Sequence, residues 1–163
     1  MITFRNMTAV FIVYEGKMLL LNRKGSRLAD VNGTWVGIGG HMEPEEIDDP
    51  HTAALREVYE EIGLKENDLI NMKLRYVTLR LKDDEIRQNH YYFAEIAEGA
   101  SLPESCTEGT LEWVPIAEVT KRKMPWSAQY MMQHYMDIGR YDEELYAGAA
   151  QEQGVIFTKM DKL

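Results

Sequence analysis

The stretch GGHMEPEEIDDPHTAALREVYEEIGL, residues 39–64, decides the fold because it contains a helix with clearly marked ends. Asp49 suits the N-cap, and Pro50 suits the first helical position, where a missing N–H does no harm. Gly63 follows the last turn, where a left-handed residue is common. These positions predict a helix over 50–62.

The two faces of this helix differ in chemistry. The apolar residues recur at helical spacing and predict a buried stripe: Leu55, Val58 and Ile62. Glu57, Glu60 and Glu61 stand at i, i+3 and i+4, so their carboxylates project from a common face opposite that stripe. The helix is therefore amphipathic, with an acidic outer face.

The acidic face is electrostatically unfavourable as it stands. Its carboxylates repel one another, and they lie near the helix C-terminus, where the macrodipole also disfavours anions. Arg56 relieves part of this repulsion, and a hard divalent cation bound by oxygen ligands would remove it. A solvated acidic surface is the common alternative. The turn at Gly39 and Gly40 favours the cation, because a glycine backbone can approach a metal ion or a phosphate closely.

Strands are predicted on both sides of the helix. The β-rich runs 8–14 and 17–22 meet at Glu15-Gly16, a two-residue turn typical of a hairpin. The remaining predicted strands are 35–38, 74–82, 87–96 and 111–114, with a turn at 83–84. A helical turn at 116–120, a helix at 126–138 and a possible strand at 155–158 follow. Strands interspersed with two helices predict an α/β fold with a mixed sheet covered on both faces, in one domain over 1–163.

The second half of the opening stretch closely resembles the Nudix box, whose pattern is G-x5-E-x7-R-E-U-x-E-E-x-G-U with U aliphatic. REVYEEIGL, residues 56–64, matches that pattern at every specified position. Weaker likeness extends through LLLNR at 19–23, GTWVGIGG at 33–40 and EGTLEWVP at 108–115. These flanks resemble the MutT-like branch, which includes 8-oxo-dGTP diphosphatases. The resemblance implies a Nudix-like α/β/α sandwich.

The chain departs from the family pattern at two places. Nine residues separate Glu46 from Arg56 where the family has seven, and Ile38 stands where many relatives have proline. We place the two additional residues in the loop before the helix, because loops tolerate insertion. Either Glu46 or Asp48 is then the first acidic residue of the box.

The resemblance implies roles for individual residues. Glu57, Glu60 and Glu61 are expected to bind Mg²⁺ or Mn²⁺ with the backbone carbonyl of Gly39, while Arg56 orients the glutamates. A further carboxylate is expected in the loop before an E-W strand, for metal binding or proton removal. Glu108 occupies that place, and Glu112 is the alternative.

Three residues are expected to contact the substrate. Arg23 matches an arginine that reaches substrate phosphate in relatives, although a surface arginine at a strand end is equally compatible. The backbone of Gly40 can approach a phosphate. Trp126 lies where relatives contact the base, so it either stacks on a nucleobase or packs in the core.

The expected reaction is metal-dependent hydrolysis of a phosphoanhydride in a nucleoside diphosphate linked to another group. Within that class, the flanks favour a nucleoside triphosphate or an oxidised purine nucleotide such as 8-oxo-dGTP, which would give the monophosphate and pyrophosphate. ADP-ribose, dinucleoside polyphosphates and sugar nucleotides are the alternative substrates. A nucleotide sensor without catalysis is a further alternative. An isomerase on the same scaffold lacks a supporting context around Cys106.

Composition limits the partners. The net charge of −9 argues against a protein that grips nucleic acid polymers through a basic face. No run approaches the roughly 18 apolar residues that a membrane helix needs. A single cysteine, Cys106, excludes an internal disulfide framework and favours a reducing cytoplasm. The expected partner is a small phosphorylated nucleotide, with a homodimer possible.

Overall fold

The computed structural model describes residues 1–23 and 33–161, in which eight strands and two α-helices form a layered α/β fold. The strands are β1 (Thr3–Tyr14), β2 (Lys17–Arg23), β3 (Trp35–Val36), β4 (Leu69–Lys82), β5 (Glu85–Ile96), β6 (Gly109–Pro115), β7 (Leu145–Gln151) and β8 (Gly154–Met160). The helices are α1 (Pro50–Ile62) and α2 (Trp126–Asp137). Short 3-10 turns lie at Pro44–Glu46, Glu66–Asp68, Ile116–Lys121 and Gly139–Tyr141.

The strands form one mixed sheet in the order β3-β2-β1-β5-β4-β7-β8. β6 also pairs with β2, along its whole length. The pairs β1–β5 and β4–β7 are parallel, and the other pairs are antiparallel. Val10 of β1 packs with Val58 of α1 on one face, whereas Phe11 packs with Met131 of α2 on the other. The predicted α/β/α sandwich is confirmed.

The predicted ends of α1 are confirmed. Asp49 Oδ1 accepts a hydrogen bond from the Thr52 N–H at 3.0 Å, as an N-cap does. Gly63 is left-handed, with φ of 74°, and its N–H donates to the Tyr59 carbonyl. The β1–β2 turn is also as predicted, because Glu15 and Gly16 have φ of 48° and 74°.

Other boundaries differ from the prediction. β1 begins at Thr3 rather than residue 8, and β4 begins at Leu69 rather than residue 74. Irregularities in the β4–β5 register between residues 70 and 76 break the alternation that would have revealed the start of β4. The possible strand at 155–158 is part of β8, which forms a hairpin with β7, a strand that the sequence did not predict.

The predicted strand at 35–38 is shortened, and the chain after it runs beside β1. Ile38 and His41 form isolated bridges to Val10 and Met7, and the Gly40 carbonyl accepts from the Thr8 N–H at 2.9 Å. A Cβ at Gly39 would lie 2.0 Å from the Thr8 carbonyl oxygen. This close approach of two backbones requires glycine and sets the double glycine against the end of α1.

Within the described ranges, no helix is long and apolar enough to span a bilayer. The cytoplasmic location, the single domain and the homodimer stay predictions.

Candidate active site

The three glutamates of α1 lie at different depths. The side chain of Glu61 is 7% exposed and that of Glu57 is 13% exposed, whereas that of Glu60 is 55% exposed. Glu61 Oε2 accepts from the Gly39 N–H at 3.3 Å. A Cβ at Gly40 would lie 2.8 Å from the Glu57 carboxylate. The acidic face of α1 therefore packs directly against Gly39 and Gly40.

Arg56 holds the acidic groups together from the outer side. Its guanidinium donates two hydrogen bonds to Glu46, at 2.7 and 2.9 Å. Its Nη1 lies 3.0 Å from Glu57 and 3.1 Å from Glu60, and its Nη2 donates to the His41 carbonyl at 3.1 Å. A planar guanidinium can serve several acceptors at fixed angles, which a flexible ammonium cannot.

Glu46, rather than Asp48, pairs with Arg56. The hydrogen bonds from Arg56 lower the pKa of Glu46, whereas Asp48 is exposed in the loop that leads into α1. Residues 47–49 connect the Pro44–Glu46 turn to the helix, and the place of the two additional residues in this loop stays a prediction. Arg56 contacts Glu46 across this loop as well as Glu57 and Glu60 on the helix.

Arg23, at the end of β2, contacts the same acidic face from inside. Its Nη2 donates to Glu61 Oε1 at 3.0 Å and to the Gly39 carbonyl. The guanidinium thus lies between two oxygen groups that the sequence assigned to a metal ion. Among residues 1–23 and 33–161, no three His, Cys, Asp or Glu side chains converge closely enough for one ion.

The charges of these carboxylates are only partly compensated. Burial raises the pKa of Glu61 to about 7, against the opposing effect of Arg23, and the charge of Glu57 raises it further. Burial also raises the pKa of Glu57. Carboxylate and carbonyl oxygens are the donors that Mg²⁺ and Ca²⁺ accept, so the donor set fits a hard divalent cation that would stabilise the ionised forms.

Glu108 lies near this acidic face, whereas Glu112 is engaged elsewhere. Gly109 pairs with Arg23 across β6 and β2, and the charge of Glu108 contributes to the raised pKa of Glu61. Glu108 itself is exposed in the loop before β6. Both carboxylate oxygens of Glu112 accept from Arg122, at 2.5 and 3.0 Å. Of the two alternatives, only Glu108 is left open to a ligand.

Cys106 lies next to Glu108 without being activated. Burial raises the pKa of its thiol, and its sulfur accepts from the Glu108 N–H at 3.4 Å. A thiol with a raised pKa is a poor nucleophile near neutral pH.

Trp126 stands apart from the glutamates. The Arg80 guanidinium lies 4.2 Å from the centre of its ring, and the Tyr130 ring approaches it edge-on at 4.9 Å. The indole is half-buried, so its exposure is intermediate between that of a base-stacking side chain and that of a core side chain, the two alternatives that the sequence left open. No hydrogen bond or ring contact found in the described part of the chain joins it to α1.

His41 is the residue at this site that the sequence reasoning missed. Its Nε2 accepts from Arg5 Nε at 3.0 Å, and burial lowers its pKa, followed by the charges of Arg5 and Arg23. Its position directly after Gly40 was the available indication. His90, by contrast, is buried in β5, with Nδ1 3.4 Å from the Met7 carbonyl.

The comparisons with known proteins agree with this fold. The family model described as NUDIX domain matches residues 4–135. The MutT protein of Bacillus halodurans is 21% identical, with a TM-score of 0.69 over 95% of this chain and 97% of that chain. The ORF135 protein of E. coli is 19% identical, with a TM-score of 0.64 over 87% and 95%. The Ap4A hydrolase of C. elegans is 15% identical, with a TM-score of 0.62 over 86% and 100%. Since most of the chain matches the family model, the chain belongs to the NUDIX domain family, whose members are hydrolases that act on nucleoside diphosphate derivatives.

Proposed function

We propose that this protein hydrolyses a purine nucleoside triphosphate, with 8-oxo-dGTP as the leading candidate, to the nucleoside monophosphate and pyrophosphate. The observation that carries the proposal is the acidic face of α1, organised by Arg56 and closed over Gly39 and Gly40. The likeness to MutT proteins supports a nucleoside triphosphate, and the likeness to an Ap4A hydrolase supports a dinucleoside polyphosphate as the alternative.

Glu57, Glu60, Glu61 and the Gly39 carbonyl are the groups that would hold Mg²⁺ or Mn²⁺. When bound, the ion supplies charge neutralisation on the phosphate oxygens and a lower pKa for the attacking water. Arg56 keeps the glutamates in position throughout. Arg23 leaves Glu61 and the Gly39 carbonyl and turns to the substrate phosphate, which is an equally good partner for a guanidinium.

Glu108 takes the proton from the attacking water in this proposal. It is exposed, and the described residues provide it with no ion pair that would have to be broken. Its charge acts on Glu61, so it lies close enough to share the same site. Because this carboxylate is exposed, it can pass the proton on to water after each turnover.

The test is the release of products from 8-oxo-dGTP, dGTP, Ap4A, ADP-ribose and a sugar nucleotide with Mg²⁺ or Mn²⁺. We expect 8-oxo-dGTP to be the best substrate and Glu60→Gln to lower kcat/KM by at least about 100-fold, because it removes a charge from the metal site. Glu45→Gln, an exposed change in the preceding turn, is the matched control. Absence of any turnover, or full activity of Glu60→Gln, would sink the proposal.

A nucleotide sensor without catalysis is the second candidate. The contact of Arg23 with the Gly39 carbonyl favours it, because a guanidinium then takes a place that a metal ion needs. Calorimetry distinguishes the two candidates. A sensor binds nucleotide equally well with and without Mg²⁺ and releases no product, whereas the hydrolase requires the ion for turnover.

A further inference from the structure

Three arginines from three strands lie side by side on the face of the sheet that α2 partly covers. Arg5 of β1 pairs in register with Arg87 of β5, and Arg87 pairs in register with Arg80 of β4. Neighbouring strands are about 4.8 Å apart, so these residues, which we call the arginine row, span roughly 10 Å.

Strand alternation assigns all three side chains to the same face. Phe11, Tyr91 and Tyr76 belong to the core cluster beneath α2. Each arginine stands an even number of residues from one of them along a regular part of its strand. The contact of Arg80 with Trp126 of α2 agrees with this assignment.

The arginine row is poorly neutralised. Glu85 lies 2.6 Å from Arg87 and 4.0 Å from Arg5. Among the described residues, no carboxylate lies within ion-pair distance of Arg80, whose pKa is lowered by burial and by the charge of Arg87, against a weaker effect of Asp83. Like charges directly opposite each other destabilise a sheet. Three neighbouring cations with one close carboxylate, which only Arg5 and Arg87 share, are unexpected in a chain with a net charge of −9.

The arginine row begins where the acidic site ends. Arg5 donates to His41, whose backbone carbonyl is held by Arg56. The charge of Arg23 also lowers the pKa of His41, so this histidine lies between Arg5 of the row and the arginines of the acidic site, Arg23 and Arg56. At the other end of the row, Arg80 covers one face of Trp126. A nucleotide that placed its diphosphate at the double glycine and its base near Trp126 would therefore have its ribose beside the row.

We propose that the arginine row binds a phosphate group on the ribose of the nucleotide, away from the phosphoanhydride that is cleaved. The close contacts leave the row with three positive charges and one negative charge, an excess of two that matches a phosphate dianion. Guanidinium groups suit such a ligand because each can donate two parallel hydrogen bonds to it. This inference rests on the proposed function, since it assumes that a nucleotide lies at the acidic site.

The experiment compares the binding of guanosine 5′-monophosphate and guanosine 3′,5′-bisphosphate by calorimetry, with Mg²⁺ present. We expect the wild-type protein to bind the bisphosphate about tenfold more tightly, and Arg87→Gln to reduce this preference to about twofold or less. The affinity of Arg87→Gln for the monophosphate is measured in parallel, so that the preference is the ratio of the two dissociation constants of each protein. Arg140→Gln is the matched control, because it removes one exposed guanidinium that lies beside Tyr141 in the turn after α2, outside the row, and should keep the full preference.

Three results would overturn the inference. The first is a wild-type protein that binds both nucleotides equally. The second is an Arg87→Gln variant that keeps the preference while its circular dichroism shows a native fold. The third concerns the source of the phosphate. If inorganic phosphate binds as tightly as the bisphosphate and Arg87→Gln abolishes that binding, the row is a site for the free ion.

The same measurements separate this inference from the proposed function. Binding of the bisphosphate requires no hydrolysis, so a preserved preference without any turnover sinks only the proposed function. Turnover of nucleoside triphosphates without any preference for the bisphosphate sinks only the role of the arginine row.

Discussion

The acidic face of α1 and the arginine row both gather like charges on one surface, and they do so over very different distances along the chain. Glu57, Glu60 and Glu61 lie within two turns of one helix, so their convergence follows from local spacing alone. Arg5, Arg80 and Arg87 come from three strands and meet only because β1 and β4 pair with β5 in a particular register. The helix makes its site by itself, whereas the sheet makes one only when it is fully assembled.

The two regions also differ in how their charges are compensated. On the acidic side, four glutamates contact two arginines, Arg56 and Arg23, which leaves an excess of two negative charges when all four glutamates are ionised. In the arginine row, Arg87 and Arg5 approach one carboxylate, Glu85, and Arg80 has no carboxylate within ion-pair distance among the described residues. The excess of negative charge at α1 suits a divalent cation, and the excess of positive charge in the arginine row suits a dianion. The two adjacent regions therefore favour ligands of opposite charge.

After the loss expected for Glu60→Gln, the next largest effect concerns Arg56, on which the acidic face depends. We expect Arg56→Lys to lower kcat/KM by about 10- to 100-fold, because an ammonium cannot reach Glu46, Glu57 and the His41 carbonyl together. Steady-state kinetics with the best substrate measures this loss.

Arg122→Lys is the control for Arg56→Lys, since it weakens a bidentate pair with Glu112 outside the acidic face. Equal losses of activity in both variants would mean that general destabilisation, and not the organisation of the glutamates, explains the result.

A smaller effect is expected from the ionisation of Glu61 in protein depleted of metal. Its pKa is raised from 4.5 to about 7, so the folded state holds this proton more tightly than the unfolded state. Stability is therefore highest below the unfolded pKa and falls as the pH rises through about 7. In the presence of a metal chelator, we expect the free energy of unfolding of the wild-type protein to fall by about 1 to 2 kcal/mol more than that of Glu61→Gln between pH 5 and pH 8. Parallel urea-unfolding results for the two proteins would contradict this.

These differences explain how much could be predicted from the sequence. The ends of α1 and the spacing of its glutamates depend on neighbours within four residues, and they were predicted correctly. The start of β4 was missed because its register with β5 shifts near residues 70–76, where Asn71 has φ of 53°. The strand LYAGAAQ of β7 contains no β-branched residue and is stabilised by pairing with β4, which the sequence does not reveal.

The site shows the same division between local and distant information. The order Arg56 to Glu61 indicated the acidic face, whereas the contact of Arg23 with Glu61 joins residues that are far apart in the chain. The choice between Glu46 and Asp48 also required the structure, because the inserted residues made the spacing ambiguous. The arginine row was invisible to spacing rules, since no two of its members lie on the same strand.

The smallest expected effect concerns Glu85, the carboxylate that the arginine row shares. Glu85→Gln removes a partner from Arg87 and Arg5, so we expect the Tm to fall by roughly 1 to 2 °C at low salt and to recover at about 1 M salt, where the repulsion is screened. The same change should tighten the binding of guanosine 3′,5′-bisphosphate by about twofold to threefold, because the phosphate no longer competes with a carboxylate. Asp84→Asn, an exposed neighbour, should change neither quantity. A variant that loses stability without gaining affinity would mean that Glu85 neutralises the row as a purely structural partner, and that no phosphate takes its place.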